Sequence, residues 1–380
     1  MKKILLVIEN SSYGGGERSF AVLAGGMSSR GAEVHVACSP AEPFSGEISG
    51  HSVLHPAPMD SLADPGAVSR LLAVIRSVGP DIVHSQGARA DFYAALACRL
   101  AGVEHVSTVA MPVEGFDVGF VRRSVYRFFG ALGERFTSRF ITVSRDLKKR
   151  LVAGHGIAPE KITVIPNCAG GEFFAVRPRD GALAAELGLS GAMVIGAAGR
   201  LVWQKGFGVL LESFASLCRT GRHGRTLKLL IIGDGDLRGE LRAKARGLGI
   251  GDRVVWAGFR ADMARVMRLC DVFAMPSLRE GQPITLIEAM ALGLPAAVSD
   301  LPGVRETGSD GKDFLLSPPG DAAALKENLA RIVNDIPLAE SLGAAGRLRA
   351  SGSFTEEIFI SAHCEFYGLG PGPAAVERLK

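Results

Sequence analysis

Two glutamates, Glu280 and Glu288, lie eight positions apart in the stretch REGQPITLIEAMALGLP. Pro283 suits the first position of a helix and Gly293 suits its C-terminal stop, so the stretch predicts a helix over about 283–292. The residues between leave no broad polar face, which predicts that the helix is buried and Glu288 with it. A buried carboxylate needs a polar partner, from the protein or from a ligand, because an unpaired charge in an apolar interior is strongly destabilising.

The N-terminus of this predicted helix suits an anion such as phosphate, because free backbone amides meet the positive end of the helix dipole there. Gly281 and Gln282 supply amides beside Glu280. Arg200 and Lys205 lie five positions apart in a loop after an apolar strand, a spacing that suits a diphosphate held from two directions. A second interpretation stays open, in which the loop residues are simply solvated and the buried glutamate forms an internal salt bridge.

The elements that must position these residues alternate between strand and helix, in two series. Strands are predicted in the first half at 3–9, 33–38, 81–86, 105–110, 139–144 and 161–167, with helices at 17–30, 65–78, 89–101, 120–135 and 145–154. Strands are predicted in the second half at 193–200, 227–235, 253–259, 271–277, 295–300 and 313–318. This alternation predicts an α/β protein with two Rossmann-like, doubly wound parallel sheets.

A break in the alternation at 177–192 separates the two series. We therefore expect an N-terminal domain over 1–180 and a C-terminal domain over 190–353, with the last helical stretch at 354–370 joined to the first domain. In such sheets ligands bind beyond the carboxyl ends of the strands, and two facing sheets leave a cleft between them.

The composition excludes several functional classes. A net charge of +4 is too small to indicate a nucleic-acid-binding protein. The six cysteines show no CxxC pairs, which indicates reduced thiols rather than zinc sites or disulfides. The N-terminal apolar run is short, and no stretch reaches the roughly 18–20 apolar residues that span a bilayer, so a cytoplasmic protein is expected. Asp234 and Asp236 fit a turn, and no other cluster of metal ligands is evident.

Taken together, these segments resemble the retaining GT-B glycosyltransferases of family 4. The likeness rests on GRLVWQKG, LLIIGDGDLR, VVWAGF and PSLREGQPITLIEAMALGLP in the second half, and on GGGERS, DIVHSQG, FITVSRDLKKRL and KITVIPN in the first. Glu280 and Glu288 match the E-x7-E motif of that family. The resemblance implies that Glu288 binds the nucleotide ribose, that Glu280 contacts the donor sugar, and that Arg200 and Lys205 hold the diphosphate.

The resemblance also implies further donor contacts. They are Gly15 and Gly16 in the N-terminal glycine turn, Gly258 and Phe259 near the base, and Gly281, Gln282, Pro283 and Ile284 at the helix start. Missing side chains in the glycine turn allow a ligand close to the backbone, although the GxGxxG dinucleotide pattern is absent. The implied reaction retains the anomeric configuration, uses no cofactor or metal, and lets the leaving phosphate help deprotonate the acceptor. UDP is the expected nucleotide and GDP the main rival.

One position departs from the family pattern. Members commonly carry a histidine near the end of the fourth strand of the first domain, and here VSTVAMP places Ala110 there. In DIVHSQG, His84 is present, but Gln86 occupies a position where a second histidine is frequent. This enzyme then works without the imidazole, uses a different donor sugar, or has lost activity and serves as a binding subunit. An epimerase or a phosphorylase of the same architecture fits the motifs less well.

The acceptor side is indicated by charge. Arg122 and Arg123 belong to a stretch at 121–140 in which arginines alternate with phenylalanines, a basic amphipathic pattern that suits contact with an anionic membrane. A glycan or lipid-linked acceptor at the inner face of a bacterial membrane would fit, as part of surface polysaccharide or glycolipid synthesis. The alternative is a helix whose aromatic side packs on the sheet while its arginines are solvated.

Overall fold

The computed structural model describes residues 1–10, 13–59, 61, 64–111, 120–220 and 224–370, without the side chains of 120–126. The chain divides into two compact units, one made of Met1–Asn167 with Glu356–Lys380 and the other of Cys168–Thr355. Each unit contains its own parallel sheet. The predicted α/β class with two parallel sheets is therefore confirmed.

The first unit is built on seven strands. They are β1 (Lys3–Ile8), β2 (Glu33–Cys38), β3 (Val53–Pro56), β4 (Ile82–Gln86), β5 (Glu104–Val109), β6 (Arg139–Thr142) and β7 (Ile162–Val164). All neighbours pair in parallel, in the order β3-β2-β1-β4-β5-β6-β7, so the chain winds outward in both directions from β1. Only β3 was not predicted, because this short edge strand ends at a proline and shows no clear periodicity.

Six helices lie between these strands in the described ranges, and all but the short second one were predicted. They are α1 (Gly15–Ser29), α2 (Phe44–Ile48), α3 (Ala67–Val78), α4 (Ala88–Ala101), α5 (Phe120–Phe136) and α6 (Arg145–His155). Gly79, Gly102 and Gly156 follow α3, α4 and α6 with φ of 60°, 71° and 66°. A left-handed residue at this position stops a helix, and glycine adopts that conformation without a steric penalty.

The second unit contains six parallel strands. They are β8 (Met193–Ala198), β9 (Leu227–Ile232), β10 (Val254–Gly258), β11 (Val272–Met275), β12 (Ala296–Ser299) and β13 (Leu315–Ser317), in the order β10-β9-β8-β11-β12-β13. Its helices are α7 (Gly171–Phe174), α8 (Gly181–Glu186), α9 (Phe207–Thr220), α10 (Arg238–Gly247), α11 (Met263–Met267), α12 (Ile284–Ala291), α13 (Pro302–Thr307), α14 (Ala322–Asn334) and α15 (Ile336–Ser353). All six strands coincide with predicted segments.

Both faces of the second sheet are covered by apolar residues. Along β9, Leu229 and Ile231 join the core beneath α9 and α14, whereas Leu230 and Ile232 join the core that includes α12. Successive side chains of a strand point to opposite faces, so a strand buried on both sides is apolar at most positions. This explains why the strands read as short continuous apolar runs.

The last helix of the chain, α16 (Glu356–Tyr367), belongs to the first unit and packs against α1. A Cβ atom on Gly26 of α1 would lie 2.4 Å from Ile360 Cδ1, so a glycine is needed for this approach. Arg139 of β6 donates to the Phe366 carbonyl oxygen at 2.7 Å and stacks on the Phe366 ring at 4.1 Å. No helix in the described ranges is long and apolar enough to cross a membrane.

The boundary between the units lies between Asn167 and Cys168, earlier than the expected break at 177–192. The residues that follow form α7 and α8 and contribute Phe173, Leu183 and Leu189 to the core of the second unit. The break in the strand and helix alternation therefore reflects two short helices that cover the second core, not a linker between domains.

Candidate functional site

Helix α12 starts at the carboxyl end of β11, where the sequence predicts an anion site. Pro283 is the N-cap with extended backbone, and Ile284 is the first helical residue, one position later than predicted. The carbonyl oxygen of Pro283 accepts from the amides of Leu286 and Ile287 at 3.2 and 3.3 Å. The amides of Ile284 and Thr285 come before these two donors and have no carbonyl one turn earlier within the helix, so this end can donate to a ligand.

Glu280 and Lys205 form an ion pair immediately before this helix. Lys205 Nζ donates to Glu280 Oε1 at 2.6 Å, and Ser277 Oγ donates to the same oxygen at 2.8 Å. The exposed fraction is 6% for the Glu280 side chain and 22% for that of Lys205. These two residues are therefore not ordinary solvated loop residues. The sequence placed both near one ligand but did not predict that they contact each other.

Backbone contacts hold together the two loops that carry Lys205 and Glu280. Gly206 has φ of 64°, and a Cβ there would lie 2.0 Å from the Pro276 carbonyl oxygen. The amide of Leu278 donates to the Gln204 carbonyl oxygen at 2.7 Å. The close approach at Gly206 thus brings the loop after β8 against the loop after β11, which places Lys205 within reach of Glu280.

Glycines also allow close backbone contacts between the loops after β9 and β10. The Gly233 amide donates to the Gly258 carbonyl oxygen at 2.8 Å, and a Cβ on Gly233 would lie 2.0 Å from the Gly199 carbonyl oxygen.

Asp234 pairs with Arg238 at 2.7 Å and its carbonyl oxygen accepts from the Leu201 amide, so the GDGD segment is a turn. Within the described ranges no group of three or more His, Cys, Asp or Glu side chains could hold a metal ion.

Glu288 is fully buried on α12, as its apolar neighbours predict. Gly281, Gln282 and Pro283 are buried as well, and Ile284 is partly exposed. A Cβ on Gly303, in α13, would lie 1.7 Å from the Gly281 carbonyl oxygen. The start of α13 therefore packs directly on the loop that precedes α12 and restricts its backbone.

Several exposed side chains lie in the loops that follow the strands of the second sheet. Arg200 is exposed in the loop after β8, and Phe259, after β10, is 52% exposed. Trp203 is 44% exposed, and the Arg279 guanidinium lies 5.2 Å from its ring centroid. Trp203 was not predicted as a site residue, although a tryptophan two positions before Lys205 is a visible signal of an exposed aromatic contact.

In the first unit, the glycine turn lies at the start of α1. Gly14 is the N-cap, and its amide donates to Glu17 Oε2 at 2.9 Å. Gly15 is exposed, and a Cβ on Gly16 would lie 3.0 Å from the side-chain nitrogen of Gln86, at the end of β4. The turn thus leaves backbone accessible at Gly15, as predicted for a ligand contact, while Gly16 packs against protein.

His84, a candidate residue for the acceptor side, lies in the interior of the first unit. Its ring is fully buried, and its two nitrogens contact the Tyr367 hydroxyl of α16 and Thr108 Oγ1, the latter at 2.7 Å. Burial, assisted by the nearby His363, holds the pKa of His84 well below its usual range, so the imidazole is neutral. The sequence did not reveal this because the residue that covers His84 comes from the end of the chain.

The other residues expected on the acceptor side are only partly described. Ala110 directly follows the last residue of β5 and is partly exposed, in the predicted place at the end of that strand. Arg122 and Arg123 lie in α5, but their side chains are outside the described part of the structure.

Two family models match the chain, one in each unit. The model for Glycosyltransferase Family 4 matches residues 13–169, and the model for Glycosyl transferases group 1 matches residues 192–335. The two matches correspond to the two parallel sheets and include the candidate donor site around Lys205, Glu280 and α12.

Among similar proteins is the UDP-Gal:alpha-D-GlcNAc-diphosphoundecaprenol alpha-1,3-galactosyltransferase of Escherichia coli, 28% identical over 72% of this chain and 72% of that enzyme. The 2-deoxystreptamine glucosyltransferase of Streptomyces kanamyceticus is 28% identical over 63% of this chain and 64% of that enzyme, slightly under two thirds of its length.

Among solved structures, Anabaena HepE in complex with UDP and glucose superimposes with a TM-score of 0.86, covering 97% of this chain and all of that one, at 21% sequence identity. The agreement in fold extends over both units. Because the family models, the similar enzymes and this fold all indicate one class, the chain belongs to the family 4 glycosyltransferases, enzymes of GT-B fold.

Proposed function

We propose that this glycosyltransferase moves a sugar from a UDP-sugar to a lipid-linked glycan acceptor in the synthesis of a bacterial surface polysaccharide or glycolipid. The observation that carries the proposal is the Lys205–Glu280 ion pair at the N-terminus of α12. A cation, a carboxylate and free helix amides at one point match the phosphate and the sugar of such a donor.

UDP is preferred over GDP because of the similar proteins. The E. coli enzyme is named for UDP-galactose, and the HepE structure contains UDP and glucose. The acceptor is less constrained, since the E. coli enzyme acts on a diphosphoundecaprenol-linked sugar and the Streptomyces enzyme on 2-deoxystreptamine. We favour the lipid-linked class because the E. coli enzyme matches the larger part of this chain.

The proposed roles follow from charge and burial. Arg200 and Lys205 bind the diphosphate together with the first-turn amides of α12, and Glu280 contacts the donor sugar. Glu288, fully buried about one turn after the start of the helix, accepts hydrogen bonds from the ribose hydroxyls. A buried carboxylate suits this role because a diol donates two hydrogen bonds in a region without water.

We further propose that transfer retains configuration and needs no metal ion. Two cations and the positive end of α12 supply the charge that stabilises the departing diphosphate, which is the role a metal ion would otherwise have. The leaving phosphate oxygen takes the proton of the acceptor hydroxyl as the new glycosidic bond forms on the same face. Ala110 is compatible with this route because the route uses no imidazole base.

The test is nucleotide binding by calorimetry, with UDP, GDP and ADP, in the presence of a chelator and then of magnesium. We expect UDP to bind best and independently of magnesium. The double variant Arg200→Ala with Lys205→Ala should bind UDP at least tenfold more weakly, with little change for uridine. Lys228→Ala is the matched control, because Lys228 lies at the amino end of β9 and donates to the Asp252 carbonyl oxygen. Equal effects of the double variant and the control would show that the site lies elsewhere.

Product analysis tests the stereochemistry and the acceptor class. With UDP-glucose or UDP-galactose and a diphosphate-linked polyprenyl acceptor, we expect an α-linked product from the α-linked donor. A β-linked product would contradict retention. UDP binding without transfer to any sugar acceptor would instead favour a catalytically silent binding subunit.

A further inference from the structure

An exposed tryptophan lies beside the Lys205–Glu280 ion pair. Trp203 is 44% exposed and precedes Lys205 by two positions in the loop after β8. The Arg279 guanidinium lies 5.2 Å from the centroid of the Trp203 ring, and Arg279 directly precedes Glu280 in the chain. The ion pair and the Trp203–Arg279 pair therefore come from the same two loops, so a ligand held at one of them lies next to the other.

Backbone contacts hold the loops that carry this second pair. The Gly206 amide donates to the Trp203 carbonyl oxygen at 3.1 Å, which closes a short 3₁₀ turn. The Arg279 amide donates to the Gln204 carbonyl oxygen at 3.4 Å. Both backbone segments are thus fixed by contacts within the protein. A ligand that binds here does not need to order the loops, which lowers the entropic cost of binding.

An indole ring and a guanidinium side by side suit a sugar that carries a phosphate. The C–H groups on the face of a pyranose ring are apolar and weakly positive, so they stack on the negative face of an indole. A guanidinium donates its hydrogen bonds within its own plane, so contact with an aromatic face does not use those donors. They match the oxygens of a phosphate group. The Trp203–Arg279 pair can therefore contact a sugar ring and the phosphate beside it at the same time.

The strand order separates Trp203 from the expected position of the nucleotide base. The base is expected near Phe259, after β10, and the order β10-β9-β8-β11 leaves one strand between β10 and β8. Neighbouring strands lie about 4.8 Å apart, so the ends of β8 and β10 are roughly 10 Å apart. The Gln204 carbonyl oxygen, next to Trp203, accepts from the Leu278 amide of the loop after β11 at 2.7 Å. Trp203 thus lies toward the side of β8 that is away from the base.

We propose that Trp203 and Arg279 bind the acceptor, with Trp203 stacked on its sugar ring and Arg279 donating to its diphosphate. This assignment rests on the proposed function, since a glycan linked to a lipid by a diphosphate presents a sugar directly beside phosphate. The donor contains the same groups, but its diphosphate is assigned to Arg200 and Lys205 and its sugar to Glu280. The Trp203–Arg279 pair then selects acceptors that combine a pyranose ring with a negatively charged link.

Fluorescence tests acceptor binding without turnover. Trp256 is the only other tryptophan of the chain, so Trp256→Phe leaves Trp203 as the sole tryptophan. With UDP present, N-acetylglucosamine diphosphate on a short polyprenyl chain should change the emission of this variant in a saturable way. Arg279→Ala in the same background should weaken this binding at least tenfold. Arg349→Ala is the matched control, because Arg349 is exposed and its guanidinium lies 5.9 Å from the centroid of the Phe354 ring.

Either of two results in this titration would overturn the proposal. One is an emission that the acceptor does not change. The other is an equal loss of acceptor binding in the two arginine variants, which would show that the charge of Arg279 acts only through the overall field of the protein.

Transfer kinetics test the same assignment and separate its failure from that of the proposed function. Trp203→Ala should raise the KM for the acceptor at least tenfold while UDP affinity stays within twofold, and Trp203→Phe should restore most of this loss because it keeps an aromatic face. Leu348→Ala is the control, since Leu348 is 77% exposed on α15 of the same unit. Far-UV circular dichroism and UDP binding report folding of each variant.

The possible failures are distinguishable. Transfer by Trp203→Ala with an unchanged KM for the acceptor would overturn the assignment and leave the proposed function intact. A tenfold loss of UDP affinity in Trp203→Ala would place the ring in the donor site and would also overturn it. Failure of the wild-type chain to bind UDP would instead contradict the proposed function, and the assignment with it.

Discussion

At the scale of single residues, the Lys205–Glu280 pair combines opposite charges with little solvent. Ser277 fixes the oxygen of Glu280 that accepts from Lys205, so the carboxylate is held even if the ammonium group turns to another partner. A bound diphosphate would compete with Glu280 for Lys205, because a phosphate offers more negative charge to the same donor. The pair thus keeps the lysine side chain ordered before the donor binds.

Glu280→Gln is expected to separate binding from catalysis. The amide keeps the size of the side chain but no longer attracts Lys205, so UDP affinity should stay within threefold of wild type or become tighter. Sugar transfer from the UDP-sugar should fall at least a hundredfold, since the proposed contact with the reacting sugar loses its charge. Calorimetry with UDP and a transfer assay measure the two effects. A tenfold loss of UDP affinity would show that Glu280 instead supports nucleotide binding.

Buried titrating residues in the first unit set its response to acid. Burial lowers the pKa of His105 to about 3 and that of His363 to about 4, and it holds the pKa of His84 far below the usual 6.5. Below pH 6.5 the unfolded chain therefore binds protons at these histidines that the folded chain does not. Burial raises the pKa of Asp91 to about 7 from the usual 3.8. As the pH falls, this carboxyl group therefore takes up its proton at a higher pH in the folded chain than in the unfolded chain.

The two effects oppose each other, and the histidines prevail. As the pH falls below 6.5, three histidines lower the free energy of unfolding and Asp91 raises it, a net difference of about two protons near pH 5.5. The free energy of unfolding should fall by roughly 2–3 kcal/mol per pH unit there. His363→Gln removes one of the three groups and should reduce this slope by about 1.4 kcal/mol per pH unit. Urea unfolding at several pH values between 7 and 5 measures this slope. An unchanged slope in His363→Gln would contradict the role given to the buried histidines.

At the scale of elements, the donor site depends on loops that approach more closely than side chains allow. Gly206 lies against the Pro276 carbonyl oxygen, Gly233 against that of Gly199, and Gly303 against that of Gly281. These contacts join the ends of β8, β9, β11 and α13 around the start of α12. The charged residues therefore owe their positions to backbone packing, which a change far from any ligand can disturb.

Gly206→Ala tests this dependence. The left-handed backbone costs alanine about 1–2 kcal/mol, and its Cβ would overlap the Pro276 carbonyl oxygen, so the two loops must separate. We expect UDP to bind at least tenfold more weakly, because Lys205 moves with the loop. Gly249→Ala is the matched control, since Gly249 has φ of 72° but open space at the Cβ position. Both variants should lose similar backbone stability, and only Gly206→Ala should lose UDP affinity. Equal affinities would contradict the positioning role.

At the scale of the whole molecule, the chain contains two units with separate cores and a boundary crossed by the chain at two points, after Asn167 and before Glu356. The C-terminal helix returns to the first unit, where Tyr367 contacts His84 and α16 packs on α1. The first unit is therefore complete only when the last residues of α16 have been made, whereas the second is continuous in sequence.

Two thermal transitions are expected in calorimetry of the full chain, one for each unit. UDP at about 100 times its dissociation constant should stabilise the second unit by roughly 2.7 kcal/mol and raise its transition. Leu71→Ala, in the core of the first unit, should lower the other transition by removing about 2–5 kcal/mol. A single transition that responds to both would show that the units unfold together.

The sequence alone determined the parts of this fold that depend on near neighbours in the chain. The six strands of the second unit were predictable because most of their residues are apolar, as burial of the sheet on both faces requires. The limits of α12 followed from Pro283 and Gly293, whose backbone preferences act within a single turn. The burial of Glu288 was predictable for the same reason, because the helix around it has no polar face.

Only the tertiary structure decided the contacts that join distant parts of the chain. Lys205 meets Glu280 because β8 and β11 are neighbours in the sheet and Gly206 lets their loops touch. His84 is buried because α16, at the other end of the chain, covers β4. The edge strand β3 forms by pairing with β2, not by a pattern of its own. Such contacts depend on which elements become neighbours, and that arrangement is set by the packing of the complete core.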